Sequence, residues 1–96
     1  MHAEQKKPQD KVTAKRLIDR LEQISHRCEL TGWELTPDTA AVDHKQAVSA
    51  GGEHTMENIM IIDARVNRSK GTMSTEEFIS MCNAVSEWSR RVLPAS

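Results

Sequence analysis

Between about Asp10 and Arg27, the residues Val12, Ala14, Leu17, Ile18, Leu21, Ile24 and Cys28 recur at helical spacing. Lys11, Lys15, Arg16, Asp19, Arg20 and Glu22 fill the positions between them. That period predicts an N-terminal helix over residues 10–27 with one apolar face. Residues 1–9, polar and carrying Lys6-Lys7-Pro8, read as a disordered lead-in. Cys28 to Leu35 reads as a hairpin turning at Thr31-Gly32, and Pro37-Asp38 makes the next turn. Residues 39–44 form a short strand, 45–57 a polar loop with Gly51-Gly52 as its flexible point, and 58–62 a second strand rich in β-branched residues.

Asp63 is placed to cap a short helix carrying Arg65, Val66, Asn67 and Lys70, which Gly71 stops. Ser74 and Glu77 form a capping box, with Met73 and Phe78 as its hydrophobic staple. Phe78, Met81, Cys82, Val85, Trp88 and Val92 then stripe one face of a helix over residues 74–92, which predicts a core-facing surface. The fold class is α+β in one domain: a two-stranded antiparallel ribbon and short helix within residues 28–71, flanked by an N-terminal and a C-terminal helix. No repeat or low-complexity segment interrupts it.

Composition limits the core. The chain has 96 residues, 38% hydrophobic, with only Trp33, Phe78 and Trp88 as aromatics. A domain of this size sits near the limit where a metal, a partner or a disulfide is often needed. Cys28 and Cys82 are too far apart for a metal-type pair; a disulfide between them is one reading, and two buried thiols of an intracellular domain is the favoured one. No segment has the roughly 20 apolar residues of a membrane span, and residues 1–20 are too polar for a secretory signal. The expectation is a soluble, cytoplasmic protein with no membrane partner.

The net charge of −1 is unevenly distributed: +3 over residues 1–27, −5 over 28–77 and +1 over 78–96. The acidic middle argues against tight unaided binding to nucleic acid, although carboxylates are what a divalent cation needs. The cations of the N-terminal helix have two readings, a phosphate-contacting face or ordinary solvation.

The candidate chemistry lies in that acidic middle. Asp43 and His44 stand side by side, Asn58 follows fourteen residues after the histidine, and Asn67 nine residues after that, leading into Arg68-Ser69-Lys70-Gly71. Imidazole is the side chain able to accept a proton near neutral pH. Carboxylate and carboxamide oxygens are hard donors suited to Mg²⁺ or Mn²⁺. This arrangement resembles the HNH endonuclease family, in its variant with asparagine in place of the last histidine. The family pattern runs Asp-His, a loop with Gly-Gly, Asn before a hydrophobic strand, then His or Asn, two residues, Lys-Gly. Each part has a counterpart here at the family's spacing, and the resemblance covers about residues 28–80.

The resemblance implies a ββα-metal finger that hydrolyses DNA phosphodiester bonds to 5′-phosphate and 3′-hydroxyl ends. His44 matches the general base, and Asp43 and Asn67 match the ligands of a single Mg²⁺ or Mn²⁺ ion. Asn58 matches the middle asparagine of the catalytic set, whose amide ties down the loop after the histidine. Arg65, Arg68 and Lys70 are the candidate contacts to flanking phosphates. His54 is read as an exposed loop residue. Because adjacent strand residues point to opposite faces, Asp43 and His44 reach one phosphate only if the strand bends or ends there.

Two departures from the family are visible. Relatives often carry two Cys-x-x-Cys pairs around a structural zinc, which would fall at Cys28/Thr31 and Asp63/Val66. Only Cys28 is a cysteine, so no structural zinc is expected. Apolar packing by Cys28, Leu30, Trp33, Val66 and the terminal helices is expected in its place. The proline common after the family's histidine is also missing, since Lys45-Gln46-Ala47-Val48 stands there.

With one active site per chain, a monomer would nick duplex DNA, and paired cuts would need a homodimer or a larger partner protein. Small stand-alone proteins of this type resemble phage-associated or mobile-element proteins. The rival readings are a non-catalytic nucleic-acid-binding or assembly module on the same scaffold, and an RNase. DNA affinity is expected to come largely from Lys6, Lys7, Lys11, Lys15, Arg16 and Arg20, or from a partner protein.

Overall fold

A computed structural model describes residues 10–92, so the predicted lead-in and its Lys6 and Lys7 lie outside the described residues. The order is α1 (Ala14–Gln23), β1 (Ala40–His44), β2 (Ile59–Asp63), α2 (Ala64–Lys70) and α3 (Thr75–Val92), with 3-10 turns at Val48–Ala50 and Met56–Asn58. It is a small α+β architecture in which β1 and β2 form a two-stranded antiparallel sheet, registered from Ala40↔Asp63 to His44↔Ile59.

The first helix is shorter than the predicted 10–27. It starts only where a cap exists: the Thr13 hydroxyl accepts from the Arg16 N–H. It ends at Ile24, because Ser25 and His26 take positive φ values of 56° and 54° and turn the chain back. Arg27 then makes an isolated bridge to Glu34, and Cys28 N–H donates to the Trp33 carbonyl, closing the expected hairpin over Gly32 at φ 76°. Leu17, Leu21 and Ile24 pack on the core, while Ile18 faces solvent.

All five residues of β2 are buried. A strand paired on one side only must satisfy its other edge, and here side chains do so. Glu29 pairs with Ile61 like a strand residue: its N–H donates to the Ile61 carbonyl at 3.1 Å, and its carboxylate accepts the Ile61 N–H at 2.7 Å. Arg20 reaches from α1 to donate to the carbonyls of Ile59 and Met56 at 3.2 and 3.0 Å. The Cys28 sulfur accepts the Asp63 N–H at 3.3 Å. Arg20 therefore holds α1 on the sheet and is not the phosphate contact expected of it.

The two later helices begin as predicted. Asp63 caps α2 by accepting the Arg65 N–H, and Gly71 at φ 56° follows its end. Ser74 and Glu77 exchange capping hydrogen bonds, each 3.1 Å, at the start of α3. Backbone donation from Ser74 to its carboxylate, with the Ser74 side chain, holds the Glu77 pKa below its ordinary value.

The predicted core-facing stripe on α3 is corrected. Phe78 is buried with Cys28, Leu35, Met60, Ile61, Ile62 and Val66, but Met81, Val85, Trp88 and Val92 are exposed. Cys82 is exposed as well, so only one of the two thiols is buried. The amphipathic period was real. What it lacked was a second layer, because residues 10–77 fill only the first turns of α3. No helix among the described residues is long and apolar enough to cross a membrane.

Candidate active site

Strand β1 inverts the usual pattern for a half-buried strand: Val42 faces solvent and Asp43 is buried. The carboxylate points toward α2, where Lys70 Nζ lies 2.8 Å from Asp43 Oδ2. Although that contact is short, Oδ2 is a buried atom with no aligned hydrogen bond. Lys70 Nζ instead donates to the His44 carbonyl at 2.9 Å. Only 2% of Lys70 is exposed, so its predicted role as a phosphate contact is corrected. Its ammonium ties α2 to the end of β1.

His44 is the last residue of β1, paired with Ile59. Asp43 and His44 are both paired residues of β1, opposite Met60 and Ile59, so the chain leaves the strand after His44 and the break expected between the two is not present. The loop that follows is stapled by Asn58. Its carboxamide nitrogen donates to the carbonyls of Gln46 and Glu53 at 3.0 and 2.7 Å, and its oxygen accepts the Gln46 N–H at 3.1 Å. The Asn58 carbonyl accepts the Lys45 N–H at 2.7 Å. Gly52 fits this staple for a steric reason, since a Cβ there would collide with the Gln46 carbonyl and crowd the Asn58 amide. Asn58, grouped by sequence with the catalytic residues, is a positioning residue here: its bonds go to loop backbone. The loop holds together without the family's proline because that amide bonds both of its arms.

The staple also carries His54, which sequence reasoning left as an exposed loop residue. It is exposed, yet its Nδ1 lies 2.9 Å from His44 Nε2, with ring centroids 5.2 Å apart. In the tautomer in which His44 donates Nε2–H, its Nδ1 keeps a lone pair able to take a proton. Nothing in the spacing of His44 and His54 signalled this contact, because it depends on how Asn58 folds the loop.

Asn67 lies three residues before Lys70 on α2, hence on the same helix face that meets Asp43. It is partly buried. The donors on this face are two hard oxygen sources, whose chemistry fits Mg²⁺ or Mn²⁺. Among the described residues, no group of three or more His, Cys, Asp or Glu side chains is placed to hold an ion. A cation here would rest on Asp43 and Asn67 and would share Asp43 with Lys70.

The remaining predicted contacts separate. Arg65 forks onto Asp63 at 3.0 and 3.2 Å and stacks over Trp33 at 4.6 Å. Asp63 pairs with Ala40, at the opposite end of the sheet from His44, about 13 Å away along the strand. Arg65 braces Asp63 there, while its side chain stays largely exposed. Its hydrogen bonds hold the Asp63 carboxyl below its ordinary pKa, and Asp63 in turn raises that of Arg65. Arg68 is exposed, and its charge adds to the field on the Asp63 carboxylate. Lys45, exposed directly after His44, is a cation that sequence reasoning did not single out.

Cys28, Thr31, Asp63 and Val66 gather at one place. The Cys28 sulfur accepts from Asp63, and Val66 shares its apolar cluster. Burial pushes the Cys28 thiol up, but hydrogen bonds from the Thr31 side chain and from the backbone of Asp63, Leu30 and Thr31 outweigh it and leave the pKa lowered. Trp33, expected in this packing, is half exposed and covers the spot only from outside through Arg65.

Comparison with protein-family models, with curated proteins and with solved structures finds no match to this chain.

Proposed function

We propose that this chain is a metal-dependent DNA endonuclease built on a ββα-metal finger of the HNH type, nicking one strand per active site. The observation that carries this reading is the joint placement of three groups. A buried Asp43 carboxylate is held against the Lys70 ammonium at 2.8 Å, His44 terminates the same strand, and the Asn58 staple fixes the loop beside that imidazole. A stapled loop and a buried carboxylate are what a hydrolytic site needs. The gathering of Cys28, Thr31, Asp63 and Val66, the positions where relatives hold zinc, supports the same reading.

In this mechanism His44 takes a proton from the attacking water through Nδ1, while its Nε2–H is held by His54. Asp43 and Asn67 would hold a divalent ion, whose positive charge would act on the reacting phosphate and the leaving 3′ oxygen. Lys70 fixes the His44 carbonyl, and so the backbone on which the base is mounted. Arg68 and Lys45 are the exposed cations nearest in sequence to these groups. With Arg20 and Lys70 engaged inside the protein, they, together with the exposed Lys11, Lys15 and Arg65, are left for phosphate.

One observation favours the second reading, a non-catalytic nucleic-acid-binding or assembly module: the Lys70 ammonium rests on the carboxylate that a metal would use. Incubating supercoiled plasmid with the protein in Mg²⁺, Mn²⁺ or EDTA separates the two. The nuclease reading expects open circles with either metal and none in EDTA. Intact plasmid in all three, with the DNA bound, supports the module.

A further inference from the structure

We propose that α3 is the interface between two copies of this chain, packed antiparallel about a two-fold axis near Asn83, with Trp88 of each copy seated in the other's groove beside Phe78. Along α3 the apolar residues Phe78, Met81, Val85, Trp88 and Val92 alternate spacings of three and four. That seam suits a two-helix pairing, and the exposed Ile79 and Cys82 border it. The chain itself buries only Phe78 of this seam, and Trp88 is 63% exposed. Beside Phe78 lies a groove of about 550 Å³ lined by Leu30, Trp33, Val66, Phe78 and Met81, large enough for an indole.

The charge along α3 selects the occupant. Its first turn carries Glu76 and Glu77, and its last turn Arg90 and Arg91. A parallel second copy would set like charges against like. An antiparallel copy sets each acidic start against a basic end, and the two helix dipoles then oppose. About an axis near Asn83, Phe78 meets Trp88 of the second copy and Met81 meets its Val85. Glu77 and Arg91 then flank the seam as opposite charges across it. The Arg91–Glu87 pair within one helix, 2.9 Å and largely exposed, is too weakly held to prevent this. The contact is isologous, so it closes at two copies and leaves no free half to propagate. The exposed Cys82 sits one residue from the axis, whereas Cys28 is buried. This interface does not depend on what the Asp43–His44 site does.

The test is the mass of the full chain by sedimentation equilibrium, with three variants. Wild type is expected at twice its 10.8 kDa monomer mass. Trp88→Ala, which removes an exposed side chain that its own fold does not use, is expected to weaken association by at least about 30-fold, as for an aromatic anchor in a pocket. Mild oxidation is expected to give a covalent dimer that Cys82→Ser abolishes. In the Cys82→Ser background, Arg91→Cys is expected not to cross-link, because antiparallel pairing sets the two positions about 24 Å apart along the axis. A wild-type monomer at every concentration reached, association unchanged in Trp88→Ala, or ready cross-linking through Arg91→Cys would each overturn the proposal.

Discussion

Lys70 and Asp43 form a buried ion pair, 2.8 Å between Nζ and Oδ2, that joins the last turn of α2 to the residue before His44. The relationship makes one residue both a structural tie and a rival for any cation on Asp43. It explains how a chain of this size holds its site together with little apolar surface around it.

Lys70→Met is expected to destabilise the fold by about 3 kcal/mol in urea denaturation, because it leaves a buried carboxylate without a partner. The same variant is expected to bind Mn²⁺ about tenfold more tightly by calorimetry, the size of a typical coupling between two ligands for one site. Asp43→Ala is expected to abolish that gain. Unchanged Mn²⁺ affinity in Lys70→Met would mean that the ammonium and the ion do not share Asp43.

Asn58→Ala removes a carboxamide that serves Gln46 on both its N–H and its carbonyl, and Glu53 on its carbonyl. Because these bonds are exposed and water can replace them in part, their loss is expected to cost about 1 kcal/mol. Amide exchange at Gln46 should accelerate, and nicking should fall while Mn²⁺ binding stays at the wild-type level. Gly52→Ala should reproduce the loop defect by steric collision alone. Protected Gln46 exchange in both variants would remove the staple from the mechanism.

What the sequence conveyed follows from how local each feature is. The caps at Asp63 and Ser74 and the two strands depend on neighbours in the chain, and they appear within a residue of their expected places. The juxtaposition of Asp43 with Lys70 and of His44 with His54 depends on how β1, α2 and the loop meet, and no periodicity encodes that. Lys70 was misplaced because a cation on a short helix reads as solvated, and only the fold shows Asp43 beside its buried ammonium. The stripe on α3 misled for the opposite reason: its period predicts an apolar face correctly but does not say which molecule covers it.

Asp63→Asn tests the brace at the far end of the sheet and has a definite sign in pH. Asparagine caps a helix about as well as aspartate, so the change isolates the charge held by Arg65. The Asp63 pKa is depressed in the fold, so its contribution is present above the unfolded carboxylate value and is lost as pH falls through the folded one. The stability gap between wild type and Asp63→Asn should be full above about pH 5 and should shrink as pH falls below about 4. A gap that is constant from neutral to acid pH would show that the charge is not what Arg65 recognises.

The most direct test of the central claim is the single-turnover nicking rate of His44→Ala on supercoiled plasmid with saturating Mn²⁺, measured beside wild type and with folding and Mn²⁺ affinity checked on the same samples. With His44 as general base, the variant should fold and bind Mn²⁺ as wild type does, yet cut about 10²–10⁴-fold more slowly. Cutting at the wild-type rate by the folded, metal-bound variant would contradict the assignment of His44, and with it the proposed mechanism.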